Sequence, residues 1–281
     1  MLSTRGLYSI AQSVRLRAEE VGEDTLFHFE DKKMTFAEYH TQSSQTANGL
    51  LSEGVGASDR IAFLGKNSPV YFELIAAAAK IRAVVSPLNW RLAGPELEYV
   101  LNDSGAKIIF AGKEFSEVLK QIRPTLTAAP KIFLIDGDKA DMPSYSAWQQ
   151  QFSDTDPHLD ISADDAILQL YTSGTTGRPK GVRRQLSGNP ITEFPAHYAK
   201  WAAALAYTDR SVHYAAGPLY HASPLHTAMI GMTFGGCVIV NDKFEAQEAF
   251  RIIQDYKVTH SNLVPTHFVR LMRLPEEVRR G

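Results

Sequence analysis

Residues Ala166–Val182 read Ala-Ile-Leu-Gln-Leu-Tyr-Thr-Ser-Gly-Thr-Thr-Gly-Arg-Pro-Lys-Gly-Val, and this stretch decides the fold. Ala166 to Leu170 is an apolar run of strand length. The remainder is a glycine-rich loop. Gly174, Gly177 and Gly181 carry no Cβ, so the backbone can turn tightly and approach a ligand. Consecutive N–H groups in such a turn form a concave anion site. The hydroxyls of Thr172, Ser173, Thr175 and Thr176 can donate to phosphate oxygens, and Arg178 and Lys180 add positive charge. The whole reads as a buried strand ending in a polyphosphate cradle. It differs from the common nucleotide loop, whose lysine is followed by Ser or Thr. Here Gly181 follows Lys180. A flexible linker of like composition is not expected to follow an apolar strand or to end in Pro-Lys-Gly.

On either side, strands and helices alternate. Thr35-Phe36-Ala37-Glu38 is a capping box for a helix running towards Gly54. Ile61 to Leu64 is a strand, and Asn67-Ser68-Pro69 supplies a cap and an N1 proline for a helix through Ile81. Ala83 to Val85, Lys107 to Ala111 and Ile132 to Ile135 read as further strands. Helices start at Gly94-Pro95, closed by Gly105, and run from Phe115 to Ile122. These strands are unbroken apolar runs, the pattern of strands buried on both faces of a parallel sheet. Residues 136–165 read as a polar connector. Beyond the loop the pattern predicts helices over Pro195–Leu205, Ala246–Tyr256 and Thr266–Leu274. Strands are expected over Val212–Ala216, Val238–Val240 and Val258–Val264. The fold class is α/β, with parallel-sheet layers flanked by helices. A first α/β subdomain is expected over 1–165 and a second over 166–281.

Composition narrows the function. The formal net charge of −2, with both signs scattered, is not the basic stripe of a nucleic-acid binder. Cys237 is the single cysteine, so neither an intrachain disulfide nor a multi-thiolate metal site is expected. No apolar run reaches the roughly 20 residues that span a bilayer. The start of the chain has no apolar signal core, so the reading is a cytoplasmic protein with no transmembrane segment. No histidine pair has zinc-ligand spacing, and no metal ligand is assigned. Tyr220-His221 stands just past the strand Val212–Ala216, which Gly217-Pro218 breaks. Ligands of open α/β sheets bind at such strand ends. A histidine there can donate a hydrogen bond to a carboxylate. His213, His226, His260 and His267 carry no functional reading.

Tyr171 to Val182 resembles the signature loop of the adenylate-forming superfamily, which includes acyl-CoA synthetases, firefly luciferase and peptide-synthetase adenylation domains. The matching residues are Thr172, Ser173, Gly174, Thr175, Thr176, Gly177 and Lys180. Further segments resemble the family in order: Met34 to Glu38, Ala79 to Asn89, Pro218-Leu219-Tyr220-His221, Gly235-Gly236 with Phe244-Glu245, and Val258 to Thr266. Arg82 departs from the pattern, standing where a glycine is usual.

The resemblance implies an ATP-dependent acid–CoA ligase. The loop would hold the β- and γ-phosphates of ATP, and His221 would serve the carboxylic acid. Tyr220, Gly235, Gly236, Val264 and Pro265 would line the acyl pocket, and Gly231 would also leave room for a bulky acid. Residues Tyr220 to Leu225 look most like ligases of fatty or other lipophilic acids. The thiol would be coenzyme A. Two alternatives stand beside this reading: an adenylation domain acylating a carrier protein, and a non-catalytic module binding nucleotide or acyl chain. A homo-oligomer is compatible with either. In the family, the segments that hold adenine, ribose and Mg2+ and the catalytic lysine follow the position of Gly281. Leu274 to Gly281 reads as a mid-domain helix end, so these 281 residues are expected to be the N-terminal portion and inactive alone.

Overall fold

The computed structural model describes residues 9–161, 165–172, 180–185 and 200–280. They build two sheets. The first, sheet B, is six-stranded in the order β6-β5-β3-β4-β7-β8. It comprises β3 (Arg60–Leu64), β4 (Val84–Pro87), β5 (Ile108–Ala111), β6 (Lys131–Leu134), β7 (Ala166–Thr172) and β8 (Lys180–Gln185). All neighbours are parallel except β7 and β8. The second, sheet A, has the order β11-β9-β10-β1-β2. It comprises β1 (Thr25–Phe29), β2 (Lys32–Thr35), β9 (Val212–Ala215), β10 (Cys237–Val240) and β11 (His260–Ser261). Here only β1 and β2 pair antiparallel. The sheets exchange strands along the chain: β1 and β2 join sheet A, while β7 and β8 join sheet B.

The helices divide into three layers. Between the sheets lie α1 (Ile10–Val21), α2 (Phe36–Ser52), α3 (Pro69–Lys80) and α7 (Ala222–Thr233). Their apolar side chains form one core with Ile61, Phe63, Val85, Ile108 and Phe110 of sheet B and Phe27, Val238 and Val240 of sheet A. The opposite face of sheet B, through Ala62, Leu64, Ile109 and Leu134, packs on α4 (Gly94–Ser104) and α5 (Ser116–Ile122). The opposite face of sheet A, through Tyr214 and Ile239, packs on α8 (Ala246–Asp255) and α9 (Pro265–Met272). Both faces of β3, β4 and β5 are buried, which is why those strands carry no polar alternation.

Local signals behave as their chemistry requires. Thr35 and Glu38 form the reciprocal capping box of α2. Ser68, not Asn67, caps α3, accepting from Val70 N at 3.2 Å, with Pro69 at N1. Gly105 closes α4 in the left-handed conformation, φ 60°. Arg82 is held at φ 65°, a conformation open to glycine without strain, and its guanidinium pairs with Asp165 at 2.9 Å. Some expectations change. The predicted strand Val258–Val264 shortens to His260–Ser261 at the sheet edge. Residues 200–204 are helical, and the rest of the helix expected from Pro195 lies outside the described residues. The β1–β2 pair, α1 and α7 emerge only in three dimensions.

The polar connector is stapled to the helices. It holds a short helix, α6 (Tyr145–Gln149), too brief to show a period in sequence. Tyr145 and Gln149 donate to the buried carboxylate of Glu73 on α3, as does Thr46 of α2 at 2.8 Å. Burial outweighs these bonds and pushes the Glu73 carboxyl up to about 7. Asp156 receives Arg15 at 2.8 Å and Lys80 at 3.3 Å. The Lys80 ammonium is fully buried, donates to Ser44 Oγ and the His40 carbonyl, and is pulled down to about 8 by burial.

Candidate active site

Parallel pairing brings the carboxyl ends of neighbouring strands together. Val85 of β4 is the partner of Leu168 of β7, so both strands end at the same edge of sheet B. The chain leaving β7 returns as β8, with Thr172 opposite Lys180. The two strands that flank the expected phosphate loop are thus paired antiparallel. Ser173, Gly174, Thr175, Thr176 and Gly177 lie outside the described residues. Thr172 and Lys180 are placed as backbone partners on these two strands. The hairpin base is anchored on α4: Gln169 Nε2 donates to the Tyr171 hydroxyl at 2.8 Å, and that hydroxyl donates to Asp103 at 2.7 Å. Burial and the Asp103 charge raise the Tyr171 phenol far above neutral pH, so it stays a donor.

The second group hangs from β9. Beyond Ala216 the chain breaks at Gly217, where a Cβ would sit 2.7 Å from Pro224 Cγ. Leu219 is buried, Tyr220 is half-buried, and His221 is exposed at the N-cap of α7. The His221 N–H donates to the Pro218 carbonyl at 3.1 Å, closing a turn. Rings of Tyr220 and His221 lie 4.4 Å apart. Partial burial and then the nearby Arg91 charge lower the His221 pKa, so its imidazole is neutral at pH 7. A neutral ring has one N–H to donate.

Two residues that sequence reasoning missed connect these groups. Arg91 Nη1 donates to the Tyr220 hydroxyl at 2.9 Å, and its guanidinium lies 4.4 Å over the Trp90 ring. Trp90 and Tyr171 both pack against the core on the outer face of sheet B. Trp90 and Arg91 lie three and four residues past the end of β4, and β4 pairs with β7, so this segment links the β7 side of sheet B to Tyr220. The signal available in sequence was Asn89-Trp90-Arg91 just past a buried strand.

The expected pocket residues divide. β11 runs parallel to β9, so Val264 and Pro265 leave it at the same edge as Tyr220. Asn262 Nδ2 donates to Ser223 Oγ at 3.0 Å and joins that segment to the start of α7. Gly235 and Gly236 lie beyond the opposite end of α7, whose 12 residues span roughly 18 Å. Both have backbone reasons to be glycine. Gly235 has φ 82°, and a Cβ on Gly236 would sit 2.8 Å from the Ser211 carbonyl. Gly231 lies within α7, where a Cβ would meet Tyr207 at 3.3 Å. Among the described residues, no three His, Cys, Asp or Glu side chains converge as metal ligands. No helix there is long and apolar enough to cross a membrane.

The family described as AMP-binding enzyme matches residues 14–280. The fatty acid–[acyl-carrier-protein] ligase ScoC of Streptomyces coeruleorubidus is 32% identical over 270 residues, covering 95% of this chain and 50% of that protein. A feruloyl-CoA synthase of Amycolatopsis sp is 31% identical, covering 86% of this chain and 46% of its own length. The inhibitor-bound crystal structure of the N-terminal domain of FACL13 from Mycobacterium tuberculosis superposes with a TM-score of 0.85 at 27% identity. It covers 96% of this chain and 66% of that one. The chain spans about half the length of the curated relatives it matches.

Proposed function

Because this chain belongs to the AMP-binding enzyme family, we propose that it carries the phosphate-holding and acid-orienting part of an ATP-dependent acid–thiol ligase. A carboxylate oxygen of the substrate attacks the α-phosphorus of ATP, the bond to the bridging oxygen breaks, and pyrophosphate leaves. The thiol of coenzyme A then attacks the acyl carbon, and AMP leaves. Such chemistry needs positioning and charge neutralisation more than a protein nucleophile.

The observation that supports this reading is the Arg91–Tyr220 hydrogen bond, which joins Tyr220-His221 to the segment after β4, the strand that pairs with β7 of the β7–β8 hairpin. In this reading, Thr172 to Lys180 take the β- and γ-phosphates of ATP, and Mg2+ enters with the nucleotide. His221 donates to the acid, while Tyr220, Val264 and Pro265 form a wall of the acyl pocket. A fatty or other lipophilic acid is supported by the relatives, one named for fatty acids and one for a feruloyl group. A second reading, transfer to a carrier-protein thiol, is favoured by the first of these relatives.

The test is pyrophosphate release from ATP, Mg2+ and a panel of acids, by residues 1–281 and by a form extended to the length of the relatives. The extended form is expected to turn over and residues 1–281 alone are not. Lys180→Ala should weaken ATP use by about 1.5–3 kcal/mol, the range for a charged hydrogen bond. His221→Ala should slow adenylate formation and leave ATP affinity intact. Unchanged kinetics in Lys180→Ala would remove the loop assignment, and robust turnover by 1–281 would remove the partial-site reading.

A further inference from the structure

Asn67 stands at the carboxyl end of β3, about 150 residues from the segment it touches. Its side chain is 5% exposed. Asn67 Nδ2 donates to the Gly217 carbonyl at 3.0 Å, and the Leu219 N–H donates to Asn67 Oδ1 at 2.8 Å. Its own N–H donates to the Asp242 carbonyl, just past β10, at 3.3 Å. The preceding Lys66 pairs with Glu114 at 2.9 Å and approaches Asp242 at 3.9 Å. One loop therefore ties the ends of β3 and β5 in sheet B to those of β9 and β10 in sheet A.

We propose that Asn67 is the positioning residue for Tyr220 and His221, its side-chain amide setting the turn that delivers them to the candidate site. The inference rests on the proposed role of His221. Gly217 to Leu219 belong to no strand or helix, so a sheet ladder does not fix them. Leu219 and Gly217 are buried, and their backbone groups need partners. An amide offers a donor and an acceptor in one plane. Leucine offers neither, and an ionised aspartate only accepts. Ser68 serves as the helix cap, so capping of α3 does not explain Asn67. The next two residues after the clamp are Tyr220, whose hydroxyl meets Arg91, and His221. Loosening the clamp should let both drift from Arg91 and from the cover of the strand end, with the two sheets left intact.

The experiment uses residues 1–281 and needs no turnover. Amide hydrogen exchange should show the Leu219 N–H protected like the β9 ladder, although it lies outside every strand and helix. In Asn67→Leu that protection should be lost. His221, followed by NMR, should titrate below the ordinary 6.5 in the wild type and shift upward towards it in the variant. His28 and His267, also lowered by burial, should not move and report that the fold is retained. If Asn67→Leu does not fold, Asn67→Ser gives the same two readouts. An unprotected Leu219 N–H in the wild type, or an unmoved His221 in a folded variant, overturns the proposal. In the extended, active form, Asn67→Leu should lower kcat for adenylate formation by about 100-fold, with KM for ATP unchanged. A wild type that releases no pyrophosphate with any acid removes the proposed function, while exchange and titration still decide Asn67.

Discussion

The helices under sheet B and the outer end of sheet A handle polarity in opposite ways. Under sheet B, Glu73 and Lys80 of α3 are buried almost completely, with Asp156 beside them, and all three are partnered. At the outer end of sheet A, Val264, Phe268, Val269 and Met272 are 43–66% exposed, on and just before α9, beside the edge strand β11. Trp201 and Leu205 are exposed too, and the Leu205 carbonyl meets His260 of β11. Burial of charge is tolerated where hydrogen bonds and counter-charges converge, and a cluster of exposed apolar side chains is a surface suited to association. The contrast is between the partnered buried charges of the α2–α3–α6 region and the exposed apolar side chains of the β11–α9 side.

The largest effect should come from removing one charge of the buried set. Asp156→Ala leaves Lys80 and Arg15 without their carboxylate and should destabilise the protein by about 3–5 kcal/mol in urea denaturation. A loss below 1 kcal/mol would mean that the set is hydrated and that the contrast is overstated.

Next is Glu73→Gln, whose effect depends on pH. The ordinary Glu value of 4.5 applies to the unfolded chain, and the folded value is about 7. Between those values the folded protein binds more protons than the unfolded chain, so the Glu73 contribution to stability falls as pH rises through that window. Above pH 7 the wild type should be weaker than the variant by on the order of 3 kcal/mol, and near pH 4 the two should agree. His40, lowered to about 4 by burial and then by Lys80, acts in the opposite direction between 4 and 6.5, so only the difference between variant and wild type isolates Glu73. Denaturation at pH 4.5 and 8 checks it, and equal differences at both would show that the carboxyl is not shifted.

The smallest change in stability is expected on the β11–α9 side. Phe268→Ser with Met272→Ser should alter unfolding free energy by no more than about 0.5 kcal/mol per site, as for other exposed positions. The same pair should reduce self-association and apolar-dye binding, measured by sedimentation and fluorescence. A loss of several kcal/mol would show that this face is covered.

Legibility in the sequence followed the range of the interactions. The capping box at Thr35 and Glu38, the proline start of α3 and the Gly105 stop depend on residues three or four apart, and all three stand in the structure. The continuous apolar runs of β3, β4 and β5 announced two-sided burial because each face meets a helix layer. The β1–β2 pair escaped notice because its exposed, lysine-bearing second strand carries no apolar run. α7 is not legible because its apolar residues show little 3.6-residue periodicity. At the candidate site, the glycine-hydroxyl-cation composition of the loop and the broken strand before Tyr220-His221 were visible locally. Arg91 was not, because its hydrogen bond to Tyr220 spans 129 residues.

By itself, then, the sequence determined the α/β class, the strand that leads into the loop, and the glycine, hydroxyl and cation composition on which the phosphate proposal rests. Each of these follows from near neighbours and from the hydrophobic pattern. Only the tertiary structure decided that β8 pairs antiparallel with β7, and that sheet A recruits β1 and β2 from the far end of the chain. It alone separated Gly235 and Gly236 from Tyr220 by the length of α7. It also set Asn67 across Gly217 and Leu219. Strand order and side-chain amides act between residues far apart in sequence, and no local pattern encodes which distant backbone they will meet.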